Sequence, residues 1–174
     1  SAGAANYQAK EIYSYGGQED FLDGTLPHEI MHLIFMEFVG DSSQVPLWLH
    51  EGIAQWAEPA RRAQALQYSR VLLDRGLAYS IRDLASMTSQ TLQATPKEQV
   101  SVFYMQSISL LEFLIRSYGS GAFTTFCRAL RDTQDMDRSL RAAYPITAAT
   151  MDNLDETWRR YVQYVSQQQG AQSL

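Results

Sequence analysis

Lysine is nearly absent from this chain: only Lys10 and Lys97 accompany twelve arginines among its 14 basic residues. Acidic side chains number 19, for a net charge of −5. Without clustered Lys and Arg to meet phosphates, the composition argues against a nucleic-acid footprint or a polybasic membrane patch. The single cysteine, Cys127, excludes an internal disulfide and leaves the compartment open. Long hydrophobic runs are also missing. The best stretch, residues 30–39, is broken by His32 and Glu37 and falls well short of the ~20 residues that span a bilayer. Neither Gly nor Pro recurs with a period, which excludes fibrous classes. What remains is 174 residues, 45% hydrophobic and 11% aromatic, enough for one folded domain with a buried core.

The chain opens Ser1-Ala2-Gly3, with no methionine and no charged segment ahead of an apolar stretch. We therefore expect a processed or excised piece of a longer product, with any targeting signal out of view. Residues 1–10 carry no pattern and read as a loose end. Residues 11–15, Glu-Ile-Tyr-Ser-Tyr, are rich in strand formers and close on Gly16-Gly17, which predicts one short strand and a turn.

Helical signals dominate the remainder. Thr25 as N-cap, Pro27 in the first turn and Gly40 past the end predict a helix over 26–39. A polar connection at 41–44 leads to Pro46 and a helix over 47–58, interrupted by Pro59. An arginine- and alanine-rich helix over 60–75 ends at Gly76, a short turn follows at 81–84, and 86–95 reads as a polar loop. Apolar spacing at Val100, Phe103, Ile108, Leu111 and Leu114 predicts a long helix from Pro96 to Tyr118, stopped by Gly119. Further helices are expected near 121–131, 136–143 and 152–168, with a frayed tail after Gln167. Trp48, Trp56 and Trp158 read as core, and Cys127 as buried and inert.

The chemistry concentrates in residues 28–51. His28-Glu29-Ile30-Met31-His32 sets two histidines four apart on one helical face, so both imidazoles reach one metal ion, with Glu29 rotated by about 100° at the edge of that face. The pattern suits two zinc ligands and a carboxylate placed to take a proton from activated water. Glu51 follows His32 after 18 intervening residues, on a second helix that a short loop folds back. It completes three protein ligands and leaves a fourth position open. His50, adjacent to Glu51, points about 100° away. It reads as a cleft or structural residue, with an alternative ligand set that includes it left open.

These residues, in the context Leu47-Trp48-Leu49-His50-Glu51-Gly52-Ile53-Ala54, closely resemble the gluzincin branch of zinc metallopeptidases, which includes thermolysin-like and M1-type aminopeptidase enzymes. Among these the chain is most similar to the small bacterial peptidase MA-like domains. The resemblance implies a mainly α (α+β), zincin-like metalloprotease fold with a small N-terminal β element and a helical C-terminal part. It implies one domain over 1–174, divided into an edge segment at 1–20, zinc-site helices at 21–60 and a helical subdomain at 61–174. It further implies a bound Zn2+ held by His28, His32 and Glu51, with Glu29 as general base and acid. Glu58, seven residues after Glu51, resembles the acidic group that orients a ligand histidine. Tyr104, in Tyr104-Met105-Gln106-Ser107, resembles the phenol that stabilises the oxyanion, with Ser107 in place of a glycine. The strand at 11–15 would lie along the cleft and add to a substrate backbone.

The expected activity is hydrolysis of peptide bonds in a peptide or protein substrate. Endopeptidase action is favoured, because the Gly-x-Met-Glu-Asn segment that anchors a free amine in the aminopeptidases is not found in residues 1–27. The alternative is a zincin-fold binding or scaffold domain with little or no turnover. A third reading is hydrolysis of a non-peptide amide or ester by the same machinery. Arg82, Arg116 and Arg128 are candidates for binding a substrate carboxylate. The sequence assigns no oligomeric state.

Overall fold

Proline or glycine stands at or beside the ends of the first three helices of the computed structural model, which describes residues 3–6, 11–14, 25–40 and 45–171. Helix α1 (Leu26–Val39) carries Pro27 in its first turn and ends at Gly40, whose φ of 77° is open to glycine without steric cost. Thr25 makes no side-chain cap. Its own backbone is already helical, so its hydroxyl is not turned toward the free N–H groups.

Helix α2 (Leu47–Trp56) starts after Pro46 and stops two residues earlier than the sequence suggests. Pro59 is the reason. The ring of a proline disfavours helical backbone at the residue before it, and Glu58 is extended at φ −88° and ψ 108°. Glu58 thereby leaves the face it would share with Glu51 and becomes the N-cap position of α3 (Pro59–Asp74).

Helix α4 (Ile81–Ser86) is followed by α5 (Ser89–Gln93), inside the segment expected to be a loop. The Ser/Thr content that suggests a loop in fact builds a capping box. The Thr88 side chain accepts from the Thr91 backbone, and the Thr91 side chain accepts from the Thr88 backbone. Helix α6 (Lys97–Thr133) is kinked at Gly119, with φ 85° and ψ 161°. The two helices expected on either side of that glycine are thus arms of one bent element. It ends at Gln134, in the left-handed region. Helix α7 (Met136–Ala143), a short 3-10 turn (Ile146–Ala148) and α8 (Met151–Ala171) complete the chain.

The protein is mainly helical. Strands β1 (Gly3–Asn6) and β2 (Glu11–Ser14) pair antiparallel, Gly3 opposite Ser14 and Asn6 opposite Glu11, and lie beside α1. β1 falls where the sequence suggested a loose end. The Gly16-Gly17 turn, the connection at 41–44 and the last three residues lie outside the described residues.

Helices α2, α3 and α7 pack around α6, and α1 packs on α2. The core joins Phe35 and Val39 of α1, Trp48, Leu49 and Ile53 of α2, and the apolar face of α6. Helix α8 covers it with Leu154, Trp158 and Val162, spaced i, i+4 and i+8. Each such fully buried large side chain contributes roughly 1.5–3 kcal/mol. Some buried polar groups are well paired: Trp158 Nε1 donates to Ser109 Oγ at 3.1 Å. The Gln106 amide also clamps the Tyr79 backbone, accepting from its N–H at 2.9 Å and donating to its carbonyl at 2.8 Å. Trp56 departs from the core reading. It is half-buried at the end of α2, where its Nε1 donates to Glu112 Oε2 at 2.6 Å. Cys127 is buried, and burial pushes its thiol up to about 12, too high to supply a thiolate near neutral pH.

One contact sets the spacing of α2 and α6. A Cβ built on Gly52 would stand 3.2 Å from the Ser107 carbonyl oxygen and 3.4 Å from the Ser107 Cβ. The two helices therefore meet backbone to backbone at a glycine and a small buried serine, whose hydroxyl is turned back to its own helix at Phe103. Gly52→Val should lower stability by about 1–3 kcal/mol through overpacking against a backbone that cannot yield. That loss reads as a melting temperature several degrees lower in a thermal scan. A valine variant that melts with the parent would show that this approach is not close-packed.

Candidate metal centre

Four helices deliver the site. α1 contributes His28, Glu29 and His32, α2 contributes His50 and Glu51, the start of α3 contributes Glu58, and α6 contributes Tyr104. One turn of α1 separates His28 from His32, and their Nε2 atoms face each other at 3.1 Å. Glu51 points at the same place: one ligand atom each from His28, His32 and Glu51 lies within 4.8 Å of the others. Two imidazole nitrogens bound to one metal at ~2.0–2.1 Å and a near-tetrahedral angle sit about 3.3 Å apart. The observed pair fits that requirement.

Two further observations support the fit. His28 Nδ1 lies 3.4 Å from Glu58 Oε1, so the carboxylate favours a proton on Nδ1 and leaves Nε2 with its lone pair turned into the cluster. His32 Nδ1 is buried with no hydrogen-bond partner among the described residues. An imidazole buried in this way stays neutral, the form that binds metals. His32 is held down to about 3 by burial and by the neighbouring His50 and His28. Burial and His28 lower His50 as well.

The carboxylates behave as a crowded group. Glu51 is pushed up to about 6, first by burial and then by the negative charge of Glu29. Glu51 and Glu29 therefore share one small space. Glu29 itself is 5% exposed. A divalent cation would relieve the repulsion that the fold otherwise retains. Tyr104 closes the group from α6. Its phenol is raised by burial and then by the charge of Glu51, while Arg61 pulls it the other way.

His50 stacks on His32, with ring centroids 4.7 Å apart and planes 26° from parallel, and meets Phe35 edge-on at 5.9 Å. Its ring thus packs behind a candidate ligand, and the gathered ligand atoms are those of His28, His32 and Glu51. The three arginines considered as substrate anchors stand elsewhere. Arg82 pairs with Asp152 at 2.9 Å, Arg116 with Glu112 at 2.5 Å, and Arg128 lies 5.8 Å over the Phe38 ring. Among the described residues Arg61 does approach the site, a residue that sequence reasoning does not single out. Its Nε donates to Glu58 Oε2 at 3.2 Å, and its Nη1 donates to Gln55 Oε1 at 3.3 Å. The only available signal was its place three residues after Glu58.

These shifts fix an acid response for the metal-stripped protein. The lowered His32 contributes stability that is fully present above its ordinary 6.5 and is lost as pH falls toward about 3. The raised Glu51 acts oppositely, but only between its ordinary 4.5 and about 6. The wider histidine window dominates, so melting temperature should fall on acidification from pH 7 to 4. His32→Gln should flatten that slope, and an unchanged slope in this variant would refute the assignment.

The family model of the Peptidase MA superfamily matches residues 1–164. An uncharacterized protein, YhcO, of Bacillus subtilis (strain 168) is 22% identical over 134 residues, covering 76% of this chain and 38% of the relative. The chain therefore spans well under half the length of that relative. No solved structure matches the chain. With a family match over almost its whole length and a His-His-Glu cluster that could bind a metal, the chain belongs to the Peptidase MA superfamily.

Proposed function

We propose that this domain is a zinc-dependent peptidase of the gluzincin type. The observation that carries the reading is the gathering of one ligand atom each from His28, His32 and Glu51 within 4.8 Å. Two imidazoles and one carboxylate form a donor set suited to catalytic zinc. Zinc held there would supply Lewis acidity, polarising a scissile carbonyl and making water a usable nucleophile near neutral pH.

The remaining work falls to the chain's own side chains. Glu29, one residue after His28 and close enough to Glu51 to raise its pKa, accepts the proton of the attacking water and returns it to the leaving amine. Tyr104 stays protonated, because burial and Glu51 both raise its pKa, and so it can donate a hydrogen bond to the developing oxyanion. Glu58 holds His28 in the tautomer that presents Nε2. The hairpin of β1 and β2 beside α1 offers an edge to which a peptide backbone could add. Endopeptidase action on a peptide or protein substrate is the specific form of this reading.

Elemental analysis should find about one zinc per chain, and a chain that stays metal-free when offered zinc would end the proposal. Glu29→Gln should keep the metal and lose most peptide-hydrolysing activity, by the ~100-fold or more expected when a general base is removed. Tyr104→Phe should lower kcat with little change in KM, on the order of 100-fold for one oxyanion donor. Zinc binding by the parent without cleavage of any peptide in a diverse library would instead identify a binding domain on this fold.

A further inference from the structure

We propose that Arg61 is a positioning residue of the metal centre, which locks Glu58 in the orientation that fixes His28. The inference rests on the metallopeptidase reading and extends it to a residue that touches no ligand. Arg61 stands in the first turn of α3, and its guanidinium fork is held at two points. Nη1 donates to the Oε1 of Gln55, a buried side chain on α2 one turn beyond Glu51, and Nε donates to Glu58 Oε2.

Glu58 therefore divides its two oxygens. Oε2 faces Arg61 at 3.2 Å, and Oε1 faces His28 Nδ1 at 3.4 Å. A carboxylate tethered by one oxygen cannot rotate its other oxygen away from the imidazole without breaking a charge-assisted bond. Because Glu58 is the extended residue between α2 and α3, its backbone alone leaves the side chain free to turn to solvent. The guanidinium removes that freedom, and Gln55 in turn keeps the guanidinium from swinging out. Lysine could not do the same, since an ammonium offers a single point of charge instead of a planar fork with two divergent donors.

An isolated pair of this spacing on a helix surface is worth little to stability and should leave metal affinity untouched. A positioning role predicts a different result. Zinc affinity would be measured on the full chain by competition with a chromogenic chelator, for the parent, Arg61→Ala, Arg61→Lys, Glu58→Ala and the Glu58→Ala/Arg61→Ala double variant. Melting curves of each metal-stripped protein would be recorded alongside. Arg61→Ala and Arg61→Lys should each weaken zinc binding by ~10–100-fold, the range expected when the support of a ligand histidine is lost. The stripped proteins should melt within about 2 °C of the parent, as expected when only an exposed pair is lost. The double variant should bind zinc as Glu58→Ala does, because Arg61 acts through Glu58.

Parental affinity in Arg61→Ala, or losses that multiply in the double variant, would overturn the role of Arg61 while leaving the zinc reading intact. A loss of affinity matched by a comparable loss of melting temperature in the stripped protein would overturn it as well, reducing Arg61 to a structural contact. A parent that takes up no zinc is a separate result and removes both inferences together.

Discussion

The backbone contact between α2 and α6 at Gly52 and Ser107 is the constraint from which the site's geometry follows. Any larger residue at Gly52 would drive the helices apart, since the space beyond its Cα is already filled by a carbonyl group. Glu51 precedes that glycine, and Tyr104 lies one turn before Ser107 on the partner helix. Closing the two backbones therefore brings a carboxylate and a phenol into each other's field. On its other side α2 packs against α1, so the same rigid element carries Glu51 to His28 and His32.

The resulting arrangement is locally unfavourable. Three imidazoles converge, one with a buried and unpartnered nitrogen, and two carboxylates repel. An unsatisfied buried polar group costs stability on the order of 1–3 kcal/mol. The core around α6 and α8 offsets such a cost, with Trp158, Phe103 and Phe126 each fully buried. The repelling carboxylates and the crowded imidazoles are a conflict that a cation would relieve, whereas Gln106 and Trp158 make well-formed hydrogen bonds elsewhere in the core. In the frame outside the site, Asp155 accepts from the Ile81 N–H and pairs with Arg159, tying α8 to the start of α4.

Helices were readable from sequence where their ends are local chemistry. Proline near the start and glycine past the end of α1 act within a few residues, and so do the apolar repeats of α6 and α8. The misreadings share a cause. Ser and Thr around 88–91 look like a loop until their side chains are seen to cap one another, because hydroxyls serve either role depending on backbone. Gly119 reads as a stop in the sequence, yet the chain resumes helical geometry directly after it, held by packing on both sides. Residues 3–6 carry no strand signal and become a strand by pairing with 11–14, a partner that composition does not reveal.

The inventory and spacing of the donors are written in the chain's primary structure. Two histidines four apart must share a helical face, and an intervening stretch of 18 residues is long enough for a second helix to return Glu51 to them. Which side chains share one small space, and which nitrogens of His28 and His32 face each other there, follows from the packing of the helices. Only the structure placed His50 behind His32, moved Glu58 off the Glu51 face onto the next helix, and set Arg61 against it. The physical reason is range. Spacing along one helix is fixed by backbone geometry over a few residues, whereas the approach of two helices depends on what fills the gap between them. Here that gap is closed by a missing side chain at Gly52 and a small one at Ser107.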